Sequence, residues 1–296
     1  MIKNQRKLLP GHLLALFSVI VWGTTFITTK SLLPIYTPLE ILVYRFFVGY
    51  LTLCVLSPRP YRFQGLKREL TLLIAGASGV TIYFLCENTA LNYTYTSTVS
   101  IIVSTAPIFT GLFSLFFLKE KLRMTFVVGF FVAISGIILV TFSHGSADIG
   151  FNPTGYLPAL FGAISWAVYS IATSMVTHSE QDSLSVTRRI FFYGLLSMIP
   201  ILIWKKPTFH IIEQHSAENL FKLIFLGIVA SALCYVTWNR SMEILGAMRT
   251  SVYIYLIPIV ALVFSYFILG EELTLYSGIG CFLVLLGLYL SERKKN

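Results

Sequence analysis

Two stretches of twelve residues decide the fold, because they are close copies of each other. GHLLALFSVIVW runs from Gly11 to Trp22 and GYLPALFGAISW runs from Gly155 to Trp166, and seven of the twelve positions are identical. Each stretch begins an apolar run of about 20 residues, the length that crosses a bilayer as a helix. The sequence therefore contains an internal repeat built from membrane-type helices.

The composition agrees with this interpretation. Of the 296 residues, 56% are hydrophobic and only 12% are charged, and the mean hydropathy is +0.77, whereas a soluble domain has about 25% charged residues. The net charge of +9 comes from short basic islands between apolar runs, which excludes a disordered chain and a nucleic-acid-binding protein. The single cysteines Cys54, Cys86, Cys234 and Cys281 indicate no disulfide framework and no thiolate metal site, and we expect no cofactor.

Ten apolar spans account for most of the chain, so every connection is short and no soluble domain remains. The predicted helices cover about residues 12–30, 39–57, 70–91, 97–118, 124–142, 155–176, 187–204, 220–241, 248–269 and 274–291. The first span follows three cations, as a secretory signal does, but no A-x-A-like cleavage site follows it. We therefore expect it to remain as the first transmembrane helix.

The cations predict the orientation, because short loops rich in Lys and Arg stay in the cytoplasm. With the N-terminus inside, the inner loops and termini hold 17 of the 22 cations, the outer side holds Lys30, Lys205, Lys206 and Lys222, and Arg45 lies within a span. Ten spans then place both termini in the cytoplasm.

The repeat extends over both halves of the chain. At a shift of 151 residues, Asn88 falls on Asn239, Pro107 on Pro258, Glu120 on Glu271, Gly129 on Gly280 and Gly136 on Gly287. The first repeat is predicted to cover residues 1–146 and the second residues 147–296. Five spans are an odd number, so consecutive copies cross the membrane in opposite senses, as in carriers that work by alternating access. The alternative is a duplication that only supplied a stable bundle.

The ordered motifs resemble the drug/metabolite transporter superfamily, specifically its ten-helix EamA family. They are A-L-F-x-x-I-x-W followed by G-T-T-F in the first span, a proline in the fourth, an L-x-E-x-L turn from Leu118 to Leu122 and a glycine-spaced fifth span, with repetition in the second half. The resemblance covers essentially the whole chain. It implies a bacterial cytoplasmic-membrane carrier with five-plus-five inverted topology, whose relatives export amino acids or other metabolites.

Charges within spans are the first candidates for a functional role, because an ionisable group in hydrocarbon must pair or face water. Arg45 follows Glu40 by five residues, and Glu87 precedes Asn92 by five, so both are expected on the order of 8 Å below the outer surface. This matched depth predicts an ion pair between Arg45 and Glu87. The pair would bind a zwitterionic or charged substrate or supply a carboxylate for proton coupling; alternatively, it only fixes helix register.

A cavity with aromatic walls and a few polar groups is the usual form of a small-molecule site. The residues expected to line it are Trp22, Tyr83, Glu87, Asn88, Trp166, Tyr169, Trp238 and Asn239. Each of these side chains has helix packing as its alternative role.

The two prolines, Pro107 and Pro258, each remove a backbone hydrogen bond inside a span. Their symmetric positions predict hinges beside the central cavity, or else fixed kinks needed for packing. Ser100, Ser104 and Thr105 are expected to bond the carbonyls near the first proline. The glycine-spaced faces of the fifth and tenth spans predict close helix packing, and Glu120 and Glu271 are expected to cap the helices that follow them.

The competing classes of function have less support. No H-E-x-x-H or G-x-S-x-G motif occurs, no histidine lies deep in a span, and both Asp residues fall in loops, so we expect no enzyme. A channel would usually be an oligomer around a shared pore, whereas this repeat favours a self-contained carrier, as a monomer or weak homodimer. We expect export of an amino acid or similar metabolite, with drug export as the alternative, driven by proton exchange or by facilitated diffusion. The expected partners are the small-molecule substrate and the lipid bilayer.

Overall fold

The computed structural model describes residues 2–58, 63–94, 96–119, 124–142, 153–177, 183–207, 209, 216–269 and 275–292. Within these ranges the chain forms ten helical segments and no strand. They are α1 (Ile2–Leu32), α2 (Pro38–Leu56), α3 (Leu66–Tyr93), α4 (residues 96–118), α5 (Met124–Phe142), α6 (Pro153–Thr177), α7 (Ser183–Lys205), α8 (Ala217–Leu245), α9 (residues 247–269) and α10 (Leu275–Glu292).

All ten predicted helices are present, and their ends agree to within a few residues except at the start of α1, which begins at Ile2 and not near residue 12. In the described part of the chain, α1, α2, α3, α6, α7 and α8 are each long and apolar enough to cross a membrane, and the other four contain shorter apolar helices. The protein is a multi-pass membrane protein. The turns that contain Glu120 and Glu271, and the loop 143–152, lie outside the described residues, so their predicted roles and sides stay predictions.

The start of α2 shows how local sequence sets helix boundaries near the site. The side chain of Thr37 accepts a hydrogen bond from the Glu40 backbone, and the Glu40 carboxylate accepts one from the Thr37 backbone, at 3.3 and 2.8 Å. This capping box satisfies N–H groups that a helix start leaves without partners. Pro38 fits the first turn, where its missing N–H costs nothing.

Helices α3 and α8 each contain a π-helical stretch, at residues 77–82 and 226–233. Shifting the first stretch by 151 residues places it inside the second, so the two halves share this irregularity. A π turn contains one residue more than an α turn, and such turns occur mostly at functional sites. The sequence analysis did not predict either stretch.

Helix α4 is divided by a turn, and not only kinked as the sequence predicted. Ser104 and Thr105 form the turn, and Pro107 lies in the first turn of the following helix, Ala106–Phe113. The Ser104 hydroxyl donates to the Ser100 carbonyl at 2.7 Å and the Thr105 hydroxyl to the Ile102 carbonyl at 2.6 Å. Both hydroxyls therefore bond carbonyls one turn back, and neither bonds the carbonyl of Val103, the one four residues before Pro107 that was predicted to need a donor.

The helices of the two halves pack against each other in a reciprocal pattern. Helix α1 packs on α8 and α6 packs on α3; α2 packs on α8 and α7 packs on α3; α5 packs on α10. Exchanging the two halves converts the first contact of each pair into the second. The interior between the halves therefore lies where α1, α3, α6 and α8 meet.

Glycines permit the closest of these approaches. A Cβ atom on Gly287 would lie 2.5 Å from the Gly129 carbonyl oxygen, and one on Gly136 would lie 2.5 Å from the Gly280 carbonyl oxygen. The predicted small-residue faces of α5 and α10 are confirmed, because backbones this close leave no room for a side chain.

Candidate functional site

A cluster of aromatic side chains fills the meeting point of α1, α6 and α8. The ring of Trp22 lies 5.2 Å from that of Trp166, at right angles to it, and 5.0 Å from that of Trp238. Tyr235 lies 6.0 Å from Trp22 and 5.4 Å from Tyr169. All five side chains are buried, and these spacings are those of favourable aromatic pairs.

The π-helical stretches supply backbone acceptors to this cluster. Trp22 Nε1 donates to the Ala230 carbonyl in α8 at 2.8 Å, and the Tyr235 hydroxyl donates to the Gly79 carbonyl in α3. Ala230 and Gly79 are repeat equivalents, 151 residues apart. The Gly79 carbonyl accepts from Tyr235, and the equivalent indole, Trp166 Nε1, has no hydrogen-bond partner among the described residues.

Glu87 lies on α3 beside the aromatic cluster. It is 2% exposed, and its Oε2 accepts a hydrogen bond of 2.6 Å from the hydroxyl of Tyr83, one helical turn earlier. The repeat equivalent of Glu87 is Trp238, so the second half has no carboxylate at this position. Of these two repeat-related positions, only the one in the first half carries a charged side chain.

Arg45 does not form the direct ion pair with Glu87 that its depth predicted. Its Nε donates to the Ser231 hydroxyl at 2.6 Å, its guanidinium lies 4.1 Å from the centre of the Phe84 ring, and Nη1 has no partner. The two charges still interact electrostatically. The direction of each side chain around its helix was not predicted, and Phe84 lies beside the guanidinium.

The two repeat-related asparagines lie away from the cavity and join neighbouring helices. Asn88 Nδ2 donates to the Pro38 carbonyl at the start of α2, at 3.0 Å. Asn239 donates to the Thr187 hydroxyl at 2.9 Å and accepts from Tyr169. Both are less than 2% exposed. The bonds of Asn239 satisfy both ends of its amide, whereas Oδ1 of Asn88 has no partner among the described residues.

A small cavity lies between Glu87 and the aromatic side chains. Its volume is about 20 Å³, and its lining residues are Trp22, Thr25, Phe26, Tyr83, Phe84, Glu87, Val103, Trp166, Ile254 and Ile257. Four of the eight predicted cavity residues are in the lining: Trp22, Tyr83, Glu87 and Trp166. Of the other four, Trp238 and Tyr169 pack against the lining residues Trp22 and Trp166, while Asn88 and Asn239 lie farther from the cavity.

Sequence reasoning missed the aliphatic part of the lining and its relation to the prolines. Val103 precedes Pro107 by four residues, and Ile254 precedes Pro258 by four. Because proline has no N–H, the carbonyl four residues before it loses its usual helical donor. Both of these carbonyls belong to residues that line the cavity, and the repeat could have indicated this, since Val103 and Ile254 are themselves 151 residues apart.

A larger groove of about 1020 Å³ lies between α3 and α6, away from the charged site. Its lining is mostly apolar and includes Ile82, Leu85 and Phe161, of which Ile82 and Phe161 are exposed on the outside of the bundle. The groove therefore lies on the outer surface of the helix bundle. In the described part of the chain no group of three His, Cys, Asp or Glu side chains could hold a metal ion.

The fold and the site define a helical multi-pass membrane protein with a small cavity between its two halves, lined mostly by aromatic and aliphatic side chains. The chain belongs to the EamA-like transporter family, whose model matches residues 9–142 and 153–293. The family resemblance read from the sequence is confirmed.

Similar proteins cover nearly the full chain. An uncharacterized transporter of Archaeoglobus fulgidus is 26% identical over 96% of this chain and 98% of its own length. A probable terminal-alkyne amino-acid exporter of Streptantibioticus cattleyicolor is 24% identical over 94% of this chain and 91% of its own length. A solved structure, titled only as the crystal structure of a protein, shares the fold with a TM-score of 0.77 at 19% identity, covering 95% of this chain and 97% of that one.

Proposed function

We propose that the protein is a secondary transporter that exports a small metabolite, an amino acid or a similar molecule, across the bacterial cytoplasmic membrane. The observation that carries this proposal is the Glu87 carboxylate, which is 2% exposed and lines a cavity walled by Trp22, Tyr83 and Trp166. A carboxylate at membrane depth is costly and marks a substrate or ion path. The family membership and the relative named as an amino-acid exporter support the substrate class.

Alternating access is the mechanism that we propose for this transport. The reciprocal packing of α1 on α8 and α6 on α3 supports two inverted five-helix repeats, residues 1–146 and 147–296, that move against each other around the cavity. Pro107 and Pro258 lie one turn from lining residues in both repeats. They are placed to act as hinges when the cavity opens to one side.

The cavity as it stands is too small for a metabolite. Its volume of about 20 Å³ holds about one water-sized group, so a metabolite enters only after the helices separate. The basic loops place both termini in the cytoplasm in this proposal.

Glu87 is the residue that we assign to substrate binding or coupling, with Arg45 as its electrostatic partner. Among the described lining residues of the cavity it is the sole ionisable carboxylate, so either proton exchange occurs on it or transport is facilitated diffusion. Drug export is the second candidate function. The aromatic lining favours it, because ring faces accept varied apolar cations.

The test compares metabolites released by cells that produce the wild type, the Glu87→Gln variant or no transporter. The proposal expects at least one amino acid or related metabolite to accumulate outside wild-type cells and to fall to the background level with Glu87→Gln. Glu243→Gln is the matched control, because Glu243 pairs with Arg240 near the end of α8 at 2.6 Å, away from the cavity. Equal release by all strains contradicts the proposal.

A further inference from the structure

We propose that four charged residues form a gate at the inner end of the bundle, and that this gate must release before cargo can reach the cavity from the cytoplasm. They are Arg68 and Glu69 near the start of α3 and Arg188 and Arg189 near the start of α7. This inference rests on the proposed transport function and assigns the entry path that export needs. It predicts that joining the two halves covalently at this end stops transport, and that removing the Glu69 charge lets the end open.

Four helix ends pack together at the inner end, two from each half. Helices α2 and α6 end at Leu56 and Thr177, while α3 and α7 begin at Leu66 and Ser183, and α3 packs on both α6 and α7. These ends lie on the same side as the N-terminus, which the cations predict to be the cytoplasmic side. The inner end is therefore the side from which an exported molecule enters.

Two of the arginines each bond the end of a helix in the opposite half. Arg68 Nη2 donates to the carbonyl of Val176, the second-last residue of α6, at 2.9 Å. Arg188 Nη1 donates to the carbonyl of Ser57, the residue directly after α2. The last carbonyls of a helix have no donor within the helix, and a cation is favourable at this negative end of the helix dipole. Each arginine therefore holds one half of the protein against the other.

The third arginine pairs with a buried carboxylate. Arg189 Nε lies 3.2 Å from Oε2 of Glu69, and the hydroxyl of Tyr193 donates to the same oxygen at 2.5 Å. Glu69 is 5% exposed, so salt screens this pair much less than a surface pair. Positive charge at the inner end follows from orientation alone, but orientation requires neither a buried carboxylate nor bonds between the halves.

The ion pair has features that allow it to open. The Arg189 side chain is 27% exposed, so water can reach its guanidinium as the helices separate. Oε1 of Glu69 is buried and has no hydrogen-bond partner among the described residues. Because a buried acceptor without a donor is costly, hydration of the carboxylate on opening offsets part of the loss of the pair.

The repeat does not supply the same charges at the outer end. The shift of 151 residues applies to the two α3 residues, and the F-F-x-G motif shared by α2 and α7 gives a shift of 145 for the two α7 residues. The repeat equivalents of the four charged residues are Asn219, Leu220, Val43 and Tyr44. The repeated fold therefore does not require these charges, and their interactions belong to the inner end alone.

The helices that carry the gate also carry walls of the cavity. Val176 follows Trp166 by ten residues on α6, about 15 Å along the helix axis, and Glu69 precedes Tyr83 by fourteen residues on α3. Trp166 and Tyr83 both line the cavity. Separation of α3 from α6 and α7 at the inner end therefore leads from the cytoplasm towards the cavity.

The first test closes the gate with a disulfide. The hydroxyls of Ser57 and Ser185, next to the end of α2 and near the start of α7, lie 3.2 Å apart across the two halves, so the pair Ser57→Cys and Ser185→Cys is close enough to be joined. In a background without the four native cysteines, we expect oxidation of this pair to abolish flux of a substrate found in the release assay. Reduction with dithiothreitol is expected to restore the flux.

The control for this test is the cysteine-free background, which is expected to keep its flux in the same oxidant. Thiol titration measures whether the disulfide has formed. Undiminished flux with a complete disulfide overturns the proposal. Failure of the pair to form a disulfide also overturns it, because the two halves would then not meet at this end.

The second test follows the gate without any substrate. Spin labels on Lys67→Cys and Met175→Cys, both at exposed positions, flank the contact between Arg68 and Val176, and double electron–electron resonance in lipid nanodiscs measures the distance between them. Because α6 and α7 belong to the same half, we expect Glu69→Gln to add a population at longer distance.

Glu243→Gln is the matched control for the second test. Glu243 pairs with Arg240 within α8, so its loss removes a charge without releasing one half from the other, and we expect the distances to stay unchanged. If circular dichroism shows that Glu69→Gln does not fold, Arg189→Gln removes the same pair from α7 and is expected to add the same population. Unchanged distances in the folded variant overturn the proposal.

The two tests separate this inference from the proposed transport function. Flux that persists with the disulfide formed overturns the gate and leaves the transport function standing. The absence of flux in the wild type and in the cysteine-free background contradicts the transport function, while the spin-label distances still decide whether the charges hold the inner end closed.

Discussion

At the scale of single residues, the two repeat-related tryptophans of the cavity differ in one hydrogen bond. Trp22 donates to the Ala230 carbonyl at 2.8 Å, whereas Trp166 Nε1 is buried without a partner. Both rings pack in the same cluster and are 6% and 3% exposed. The indole N–H of Trp22 therefore joins α1 to α8, while that of Trp166 joins nothing among the described residues.

The substitutions Trp22→Phe and Trp166→Phe test this difference. Both remove the same volume from the cluster, but only Trp22→Phe leaves a backbone carbonyl without its donor. We expect Trp22→Phe to be the more destabilising of the two by about 1 kcal/mol, measured as the difference in unfolding free energy in the same detergent. Equal destabilisation by both substitutions would show that the bond to Ala230 contributes nothing.

The sequence predicts the residues of the site only through their positions along the membrane spans and through the repeat. The repeat paired Trp22 with Trp166, position within a span singled out Glu87, and the structure places all three in the lining of one cavity. The sequence does not show how each helix is rotated about its own axis. The hydrogen bond from Arg45 to Ser231 was therefore not predicted. Tyr235 was missed because one tyrosine among 16 carries no signal, although its repeat equivalent, Phe84, lines the cavity.

At the scale of the helices, the π-helical stretch of α3 depends on a glycine. A Cβ atom on Gly79 would lie 2.3 Å from the ring of Tyr169 on α6, closer than any side chain tolerates. This contact brings α3 and α6 together beside the cavity. Gly162, on the other side of the same helix pair, has room for a Cβ, since the nearest atom would be 3.5 Å away.

The pair Gly79→Ala and Gly162→Ala therefore separates a required glycine from a replaceable one. We expect Gly79→Ala to destabilise the protein by about 1–3 kcal/mol through overpacking and to reduce export, and Gly162→Ala to leave both unchanged. Thermal unfolding in detergent and the metabolite release assay measure the two effects. A Gly79→Ala variant with wild-type stability would contradict the close approach of α3 and α6.

The contact of α5 with α10 gives a second test, which compares two glycines of α10, Gly287 and Gly278. A Cβ on Gly287 would lie 2.5 Å from backbone atoms of Ala133 and Gly129, whereas one on Gly278 would meet nothing within 4 Å. We expect Gly287→Ala to lower the melting temperature and Gly278→Ala to leave it unchanged. If both variants melt like the wild type, the two helices are farther apart than described.

The helices themselves were predictable, while their irregular turns were not. Apolar length and punctuation located all ten segments, since a bilayer imposes one length on every span. The π-helical stretches at 77–82 and 226–233 left no trace in the pattern, because in a helix that is apolar on most sides one additional residue per turn does not change the hydropathy. Each stretch includes a carbonyl that accepts a hydrogen bond from another helix, from Trp22 to Ala230 and from Tyr235 to Gly79.

At the scale of the whole molecule, the proposed inverted arrangement makes a prediction about sides. Ser146→Cys lies in the loop predicted outside and Lys119→Cys at the turn predicted inside, each in a background without Cys54, Cys86, Cys234 and Cys281. In intact cells, we expect a membrane-impermeant thiol reagent to label the first and not the second. Labelling of both, or the reverse pattern, would contradict the orientation.

The central claim is that the two halves carry a substrate by exposing one closed site alternately to the two sides. Counterflow in proteoliposomes tests it most directly, with a substrate found in the release assay loaded inside and a trace of labelled substrate added outside. The account predicts saturable uptake of label that the unlabelled substrate on the opposite side accelerates, and its loss in Glu87→Gln. Flux that rises linearly with concentration and ignores the opposite side would contradict it.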